Sequence, residues 1–340
     1  MTNQLKELRE SNNLLNKPEA LRERMAEEGY LFFRQLLNPE KLWELRRQML
    51  HKMKPWLVEG TDPFDGIADV TKQCTEGDLG YTDVYHEVYK LELFHESAHW
   101  PEILGTVEKI IGRPTIPHPH KVARLWFPKY LDHTTPTHQD FVHFQGNFNT
   151  YTAWSPVGNC PIELGGLALL PGSHKVNRVL DHKFSLGAGS LCVDTDEFDI
   201  DWHTTNYKIG DTLIFPALTV HKALPNYTED KLRVSLDNRY QAIEDTMSEH
   251  MQMPHLHGFS NLQWEDVYRN WKSDELKYYW KNLPIPTIPQ DMSFSEKGFK
   301  EALELAKLGN NHAKLHLNRA IQRDPNSPQA KAATAVLATL

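Results

Sequence analysis

Between Val122 and Gln241 the chain is written in short runs rich in Trp, Phe, Val, Ile and Thr, among them A-R-L-W-F, F-N-T-Y-T-A-W, L-A-L-L, D-T-L-I-F and R-V-S-L-D-N-R-Y. Gly, Pro, Asn and Asp separate them. β-Branched and aromatic side chains suit a pleated, half-buried surface, whereas the separating residues supply the backbone conformations that turns require. No helical run alternates with these segments, which disfavours a parallel doubly wound sheet and leaves an antiparallel sandwich or barrel.

The flanks read differently. Glu19 to Glu28 predicts a helix, Gly29 to Phe33 a short strand, and Asn38-Pro39-Glu40 a helix start with proline at the first position. In the helix that follows, K-L-W-E-L-R-R-Q-M-L, residues Leu42, Leu45 and Met49 fall on one side. After residue 242 the signals are helical again, with a Pro-rich linker expected at Leu283 to Pro289. Ala313, Leu317, Ala320 and Pro325 match the second helix of a tetratricopeptide unit, with Leu308-Gly309 as the preceding turn. One unit falls short of the ~3 that a repeat fold needs to bury a continuous core. The expectation is therefore a main domain over 1–290 and a C-terminal helical extension over 291–340, a helical hairpin packed on that domain and a candidate surface for a protein partner or self-association.

Of the 340 residues, 40% are hydrophobic and 24% charged, ordinary values for a chain that buries a sizeable core. A net charge of -8 works against a phosphate-tracking face, so nucleic acid is excluded as a partner. Cys74, Cys160 and Cys192 are odd in number and show no C-x-x-C spacing, which argues against a disulfide framework and a cysteine zinc site and fits a reducing cytosol. The opening M-T-N-Q-L-K-E-L-R-E is polar, and no run approaches the ~18 apolar residues that cross a bilayer. A soluble, cytoplasmic protein with no membrane segment is expected.

The stretch T-H-Q-D-F-V-H-F-Q, Thr137 to Gln145, reads as an apolar strand that carries an imidazole and a carboxylate two positions apart. On a strand His138 and Asp140 project to the same face and Gln139 points away. In a chain with 18 histidines such a triplet is as readily a surface or core hydrogen-bonding pair. A third ligand is available at His221, in D-T-L-I-F-P-A-L-T-V-H-K-A-L-P-N. Two histidines and one carboxylate form the facial set of non-haem Fe(II) oxygenases, which leaves coordination positions open. Arg233 and Ser235, again two apart, pair a guanidinium fork with a hydroxyl, a combination suited to the distal carboxylate of 2-oxoglutarate. His118 and His120, in P-H-P-H, lack a nearby carboxylate pattern and read as loop residues.

H-Q-D at 138–140, G-G-L-A-L-L-P-G-S-H-K at 165–175, His221 and R-x-S at 233–235, together with the opening E-E-G-Y-L-F-F-R-Q-L-L-N-P-E-K-L-W-E-L-R, resemble the phytanoyl-CoA dioxygenase family over roughly residues 25–241. The resemblance implies a double-stranded β-helix, a jelly roll of two facing antiparallel sheets flanked by helices. It implies Fe(II) on His138, Asp140 and His221, O2 as co-substrate, and 2-oxoglutarate held by Arg233 and Ser235 beside Trp154 and Gln139. The P-G-S-H turn takes a structural role, and His174 is not a ligand. Related halogenases carry a small residue where Asp140 stands, so hydroxylation or another oxidation is implied. The expected reaction is attack on an unactivated C–H bond of a small-molecule metabolite or biosynthetic intermediate, with release of succinate and CO2. Phe141, His143, Phe144 and Trp126 are candidate substrate contacts. Two rival readings stand beside this one: a non-redox metal-binding cupin-like protein, and an interaction protein acting through its C-terminal helices.

Overall fold

The computed structural model describes residues 5–78 and 80–340; residues 1–4, part of the polar opening segment, lie outside the described residues. The strands are β1 (Leu5–Glu7), β2 (Leu31–Phe33), β3 (Thr115–Pro117), β4 (Val122–Trp126), β5 (Tyr151–Pro156), β6 (Leu167–Leu169), β7 (Lys183–Phe184), β8 (Leu191–Cys192), β9 (Trp202–Thr204), β10 (Thr212–Pro216), β11 (His221–Ala223) and β12 (Arg233–Ala242). One sheet runs β2-β10-β5-β12-β3 with β4 also on β12, and a second runs β1-β9-β6-β11. Phe32, Trp154, Leu167, Leu169, Leu213 and Phe215 form a core shared by both sheets. This is the jelly roll of a double-stranded β-helix, with helices on its outside.

Strand β12 organises the molecule because both of its faces are buried. Val234, Leu236 and Tyr240 join the large outer core beneath the helices. With a period of two, Arg233, Ser235, Asp237 and Arg239 turn to the opposite, inner face. The outer core is covered by α1 (Pro18–Glu28), α2 (Pro39–Lys52), α3 (Tyr81–Tyr89) and α4 (Pro101–Ile111). Asn38 caps α2 by accepting the amides of Glu40 (2.8 Å) and Lys41 (3.4 Å), as its place before Pro39 predicts. Gly29 ends α1 at φ 71°, and a Cβ there would lie 2.2 Å from His174 Nδ1, so glycine is required by backbone and neighbour alike.

Three expectations need correction. The stretch from Thr137 to Gln145 is not a strand: His138 makes an isolated bridge to His221, and Phe141–Phe144 is a helical turn, α5, opened by Asp140 in the right-handed region. Thr135 to His138 runs beside β11, and past His138 the chain recloses locally, Phe141 N–H donating to Ala217 O at 3.1 Å and His143 N–H to Asp140 O at 2.9 Å. Between 243 and 290 the expected helical stretch is mostly turns and short helices, and long helices form only from Ser293 onward. The expected linker is tethered, with Thr287–Ile288 pairing in parallel with Met247–Ser248.

At the C-terminus three helices follow one another, α6 (Ser293–Lys307), α7 (Asn311–Arg323) and α8 (Pro328–Leu337). Ala302, Ala306, Ala313, Leu317 and Ala333 bury together with Phe184 of β7, so this core is shared with the β7–β8 hairpin of the jelly roll. Among the described residues, no helix is long and apolar enough to cross a membrane.

Candidate active site

The bridge between His138 and His221 is made by two backbone hydrogen bonds of 3.0 Å each, which set the two residues side by side at one end of the inter-sheet space. Their ring centroids are 4.2 Å apart. His138 Nδ1 lies 2.8 Å from Pro136 O and His221 Nδ1 2.9 Å from Thr219 O. A carbonyl only accepts, so each Nδ1 carries the proton and each Nε2 presents its lone pair inward. Asp140 Oδ1 stands 3.4 Å from His138 Nε2 and 3.7 Å from His221 Nε2. Among the described residues, His138, Asp140 and His221 form the one group of histidine, cysteine or acidic side chains close enough to hold a metal ion, their donor atoms lying within 4.8 Å of one another. Two neutral imidazoles and a carboxylate fit divalent iron.

Asp140 is steadied from behind. Thr152 Oγ1 donates to its Oδ2 at 2.5 Å, and Arg239 Nη2 approaches both carboxylate oxygens at 3.5 Å. Burial opposes its ionisation, yet Arg239 and His221 outweigh burial and hold the carboxyl well below the usual range. Burial lowers the His221 pKa to about 4, which keeps the imidazole neutral and able to ligate at physiological pH.

The same cavity is lined by Arg124, Trp126, Thr152, Trp154, Leu167, Phe215, Asp237 and Arg239 besides the three donors, and it reaches Arg233. Strand register explains the company: opposite β12, Trp126 faces Arg233, Arg124 faces Ser235, Trp154 faces Asp237 and Thr152 faces Arg239. Arg233 is 3% exposed, donates from Nη1 to Ser235 Oγ at 2.6 Å and lies over the Trp126 ring at 5.5 Å. Among the described residues, no carboxylate lies within ion-pairing distance of it, and its Nε has no partner. Burial lowers its pKa to about 10, so it stays a cation. A buried cation with a free donor, in line with a metal-competent triad, fits the far carboxylate of a dicarboxylic cosubstrate.

Other expected residues lie elsewhere. Gln139 is buried with its amide used against backbone: Nε2 donates to Leu218 O (2.9 Å) and Arg178 O (3.2 Å), and Oε1 accepts from Leu180 N–H (2.7 Å). It braces the segment after the P-G-S-H turn and does not face the cavity. Phe144 packs in a small core with Met247 and Met251, and Phe141 meets Phe148 edge to face with centroids 4.7 Å apart. His143 lies behind His138, ring to ring at 5.3 Å. His118 is buried against Gln241 and is no part of a metal group. His174 bonds to Ala26 O, while Ser173 Oγ accepts from Val220 N–H at 2.9 Å, fixing the residue before His221.

Residues 25–235 match the Phytanoyl-CoA dioxygenase (PhyH) family, more than half of the chain, and the chain belongs to that family. It is a non-haem iron, 2-oxoglutarate-dependent dioxygenase, with iron, 2-oxoglutarate and O2 as its cofactor and cosubstrates. It is 28% identical over 255 residues to 1-deoxypentalenic acid 11-beta-hydroxylase from Streptomyces exfoliatus, covering 71% of this chain and 87% of that protein. The 1-deoxypentalenic acid 11-beta-hydroxylase of Streptomyces arenae matches at 27% over the same shares. Among solved structures, the epimerase SnoN, crystallised with Fe3+, alpha ketoglutarate and nogalamycin RO, shares the fold at a TM-score of 0.50 and 20% identity, covering 68% of this chain and 86% of that one.

Proposed function

We propose that this enzyme hydroxylates an unactivated C–H bond of a biosynthetic intermediate, with His138, Asp140 and His221 as iron ligands and Arg233 with Ser235 as the grip on 2-oxoglutarate. Bound iron and the keto acid supply the oxidising power, drawn from O2 with release of succinate and CO2. The chain's own residues prepare the site for it. The carbonyls of Pro136 and Thr219 aim the imidazoles, Thr152 and Arg239 keep Asp140 ionised and oriented, and Trp126, Trp154 and Phe215 exclude water.

One observation carries this reading: among the described residues Arg233 is a buried cation without a carboxylate partner, in the cavity that the triad opens into. Leaving such a charge uncompensated costs several kcal/mol, and a dicarboxylate that also reaches the metal removes the penalty. The hydroxylases of 1-deoxypentalenic acid among its relatives support hydroxylation of a biosynthetic intermediate. Three free thiols, Cys74, Cys160 and Cys192, support a cytoplasmic setting.

The test is 2-oxoglutarate turnover with Fe(II) and a panel of terpenoid and polyketide acids, products being read by mass spectrometry. Wild type yields succinate and a product heavier by one oxygen, and His138→Ala yields neither. Arg233→Ala raises KM for 2-oxoglutarate roughly ten- to hundredfold, the value of a charge-assisted bond. Undiminished succinate from the His138 variant refutes the assignment.

A further inference from the structure

The helices α6–α8 lie outside the family match, yet α6 and α7 bond to three segments of the main domain: the loop 73–78, the segment 130–134 and the β7–β8 hairpin with its approach. From α7, Arg319, 9% exposed, sets Nε and Nη2 on Asp78 Oδ1, each at 2.7 Å, and reaches His133 Nδ1 with Nη1 at 3.5 Å. The other oxygen of Asp78 accepts the Thr75 amide (2.9 Å) and the Tyr130 hydroxyl (3.5 Å). One guanidinium thus ties the loop 73–78 to the segment 130–134, which borders Arg233. Inside the same loop, Glu76 pairs with Arg124 at 3.2 Å, and Arg323, one turn along α7, acts on the same carboxylate.

From Arg124 alternating charges continue inward, through Asp237 at 3.1 Å and Arg239 at 3.8 Å to Asp140 at 3.5 Å. The second attachment is from α6: Lys297 pairs with Asp181 and donates to His182 O at 2.8 Å, and Glu301 accepts the Phe184 amide at 2.6 Å. That hairpin presses on the cavity's surroundings so closely that a Cβ on Gly187 would meet Thr134 O at 2.4 Å. Exposed ion pairs contribute little, but Arg319, Glu76 and Arg124 are largely desolvated, and removing one partner leaves the other charge stranded.

We propose that the C-terminal helical unit forms the outer wall of the active site, with Arg319 a positioning residue that fixes Glu76, and through it Arg124, against the cavity. The proposal rests on the oxygenase reading. Its consequence is that water exclusion during turnover depends on α7: a loosened wall lets the enzyme consume 2-oxoglutarate without substrate.

The test compares wild type with Arg319→Met, Glu76→Gln, the exchange pair Arg319→Asp with Asp78→Arg, and the exposed control Lys307→Met. Anaerobic Fe(II) and 2-oxoglutarate titration, substrate-free succinate formation and hydrogen exchange of ligand-free protein are measured on each. Expected are near wild-type 2-oxoglutarate affinity, a several-fold rise in substrate-free succinate for Arg319→Met and Glu76→Gln, and faster exchange over 73–78 and 130–134 for Arg319→Met. The exchange pair restores both and the control changes neither. Unchanged succinate and exchange in both Arg319→Met and Glu76→Gln overturn the wall, as does a rise that the exchange pair fails to reverse. Failure of wild type to bind 2-oxoglutarate overturns the oxygenase reading instead.

Discussion

Arg239 holds a carboxylate in the form a metal requires. Asp140 sits at 2% exposure, where desolvation alone would push it toward the neutral acid. The guanidinium behind it reverses that preference, and Thr152 selects which oxygen turns to the two Nε2 atoms. Replacement by Met keeps the bulk that covers Phe144 and removes the charge. Arg239→Met is predicted to weaken Fe(II) binding roughly ten- to hundredfold, the usual weight of a group that orients a ligand, as anaerobic metal titration would read. Arg233 and Ser235 share a face because they lie two apart on a strand, whereas His138 and Asp140, read by the same rule, meet through an isolated bridge and a helical turn, and His221 arrives from a distant segment. The same rule, run two steps further along R-V-S-L-D-N-R, puts Asp237 and Arg239 on the face of Arg233, so that signal was present and went unused. Arg124, Thr152 and Glu76 carried no such signal: strand register brings the first two to the site and loop packing the third.

At the scale of elements, the alternating strands were readable and the turns between them were not. β10 and β12 formed where β-branched and aromatic alternation placed them. The stretch after His138 has the same composition and became a helical turn, its Phe141 amide donating to Ala217 O beyond the end of β10 and the amides of His143 and Phe144 turning back to Asp140 O. Propensity is a preference for a pleated surface, and without the surface it does not decide. The P-G-S-H turn shows the reverse case, a motif whose chemistry is entirely structural. Ser173 Oγ is the acceptor for the Val220 amide beside His221, both groups being buried. Ser173→Ala is predicted to cost about 1–3 kcal/mol of unfolding free energy by stranding that amide, measurable by urea denaturation of the metal-free protein.

Across the whole molecule, buried histidines make stability depend on pH. His95 and His118 lie beside the cationic Lys121 region, and burial first, then that lysine, keeps His95 neutral; burial lowers His118 to about 3. In the unfolded chain both titrate near ~6.5, so the unfolded state binds more protons below that value. Their contribution is complete above about pH 6.5 and is lost as pH falls toward the folded-state values. The denaturation midpoint of the metal-free protein is therefore predicted to fall steadily from about pH 6.5 to about pH 4, and a flat profile would contradict the burial of these rings.

The amino-acid order alone determined what local periodicity can express: the strand faces, the capped helix at Asn38, and the paired side chains at 233 and 235. Tertiary structure decided everything that depends on segments meeting across the chain. His221 reaches His138 through a single bridge, Arg239 reaches Asp140 from a strand turned inward, and Arg319 of a C-terminal helix reaches Asp78, in the loop whose Glu76 pairs with Arg124. Such contacts are set by packing and by which buried charge must find a partner, and neither leaves a period in the sequence.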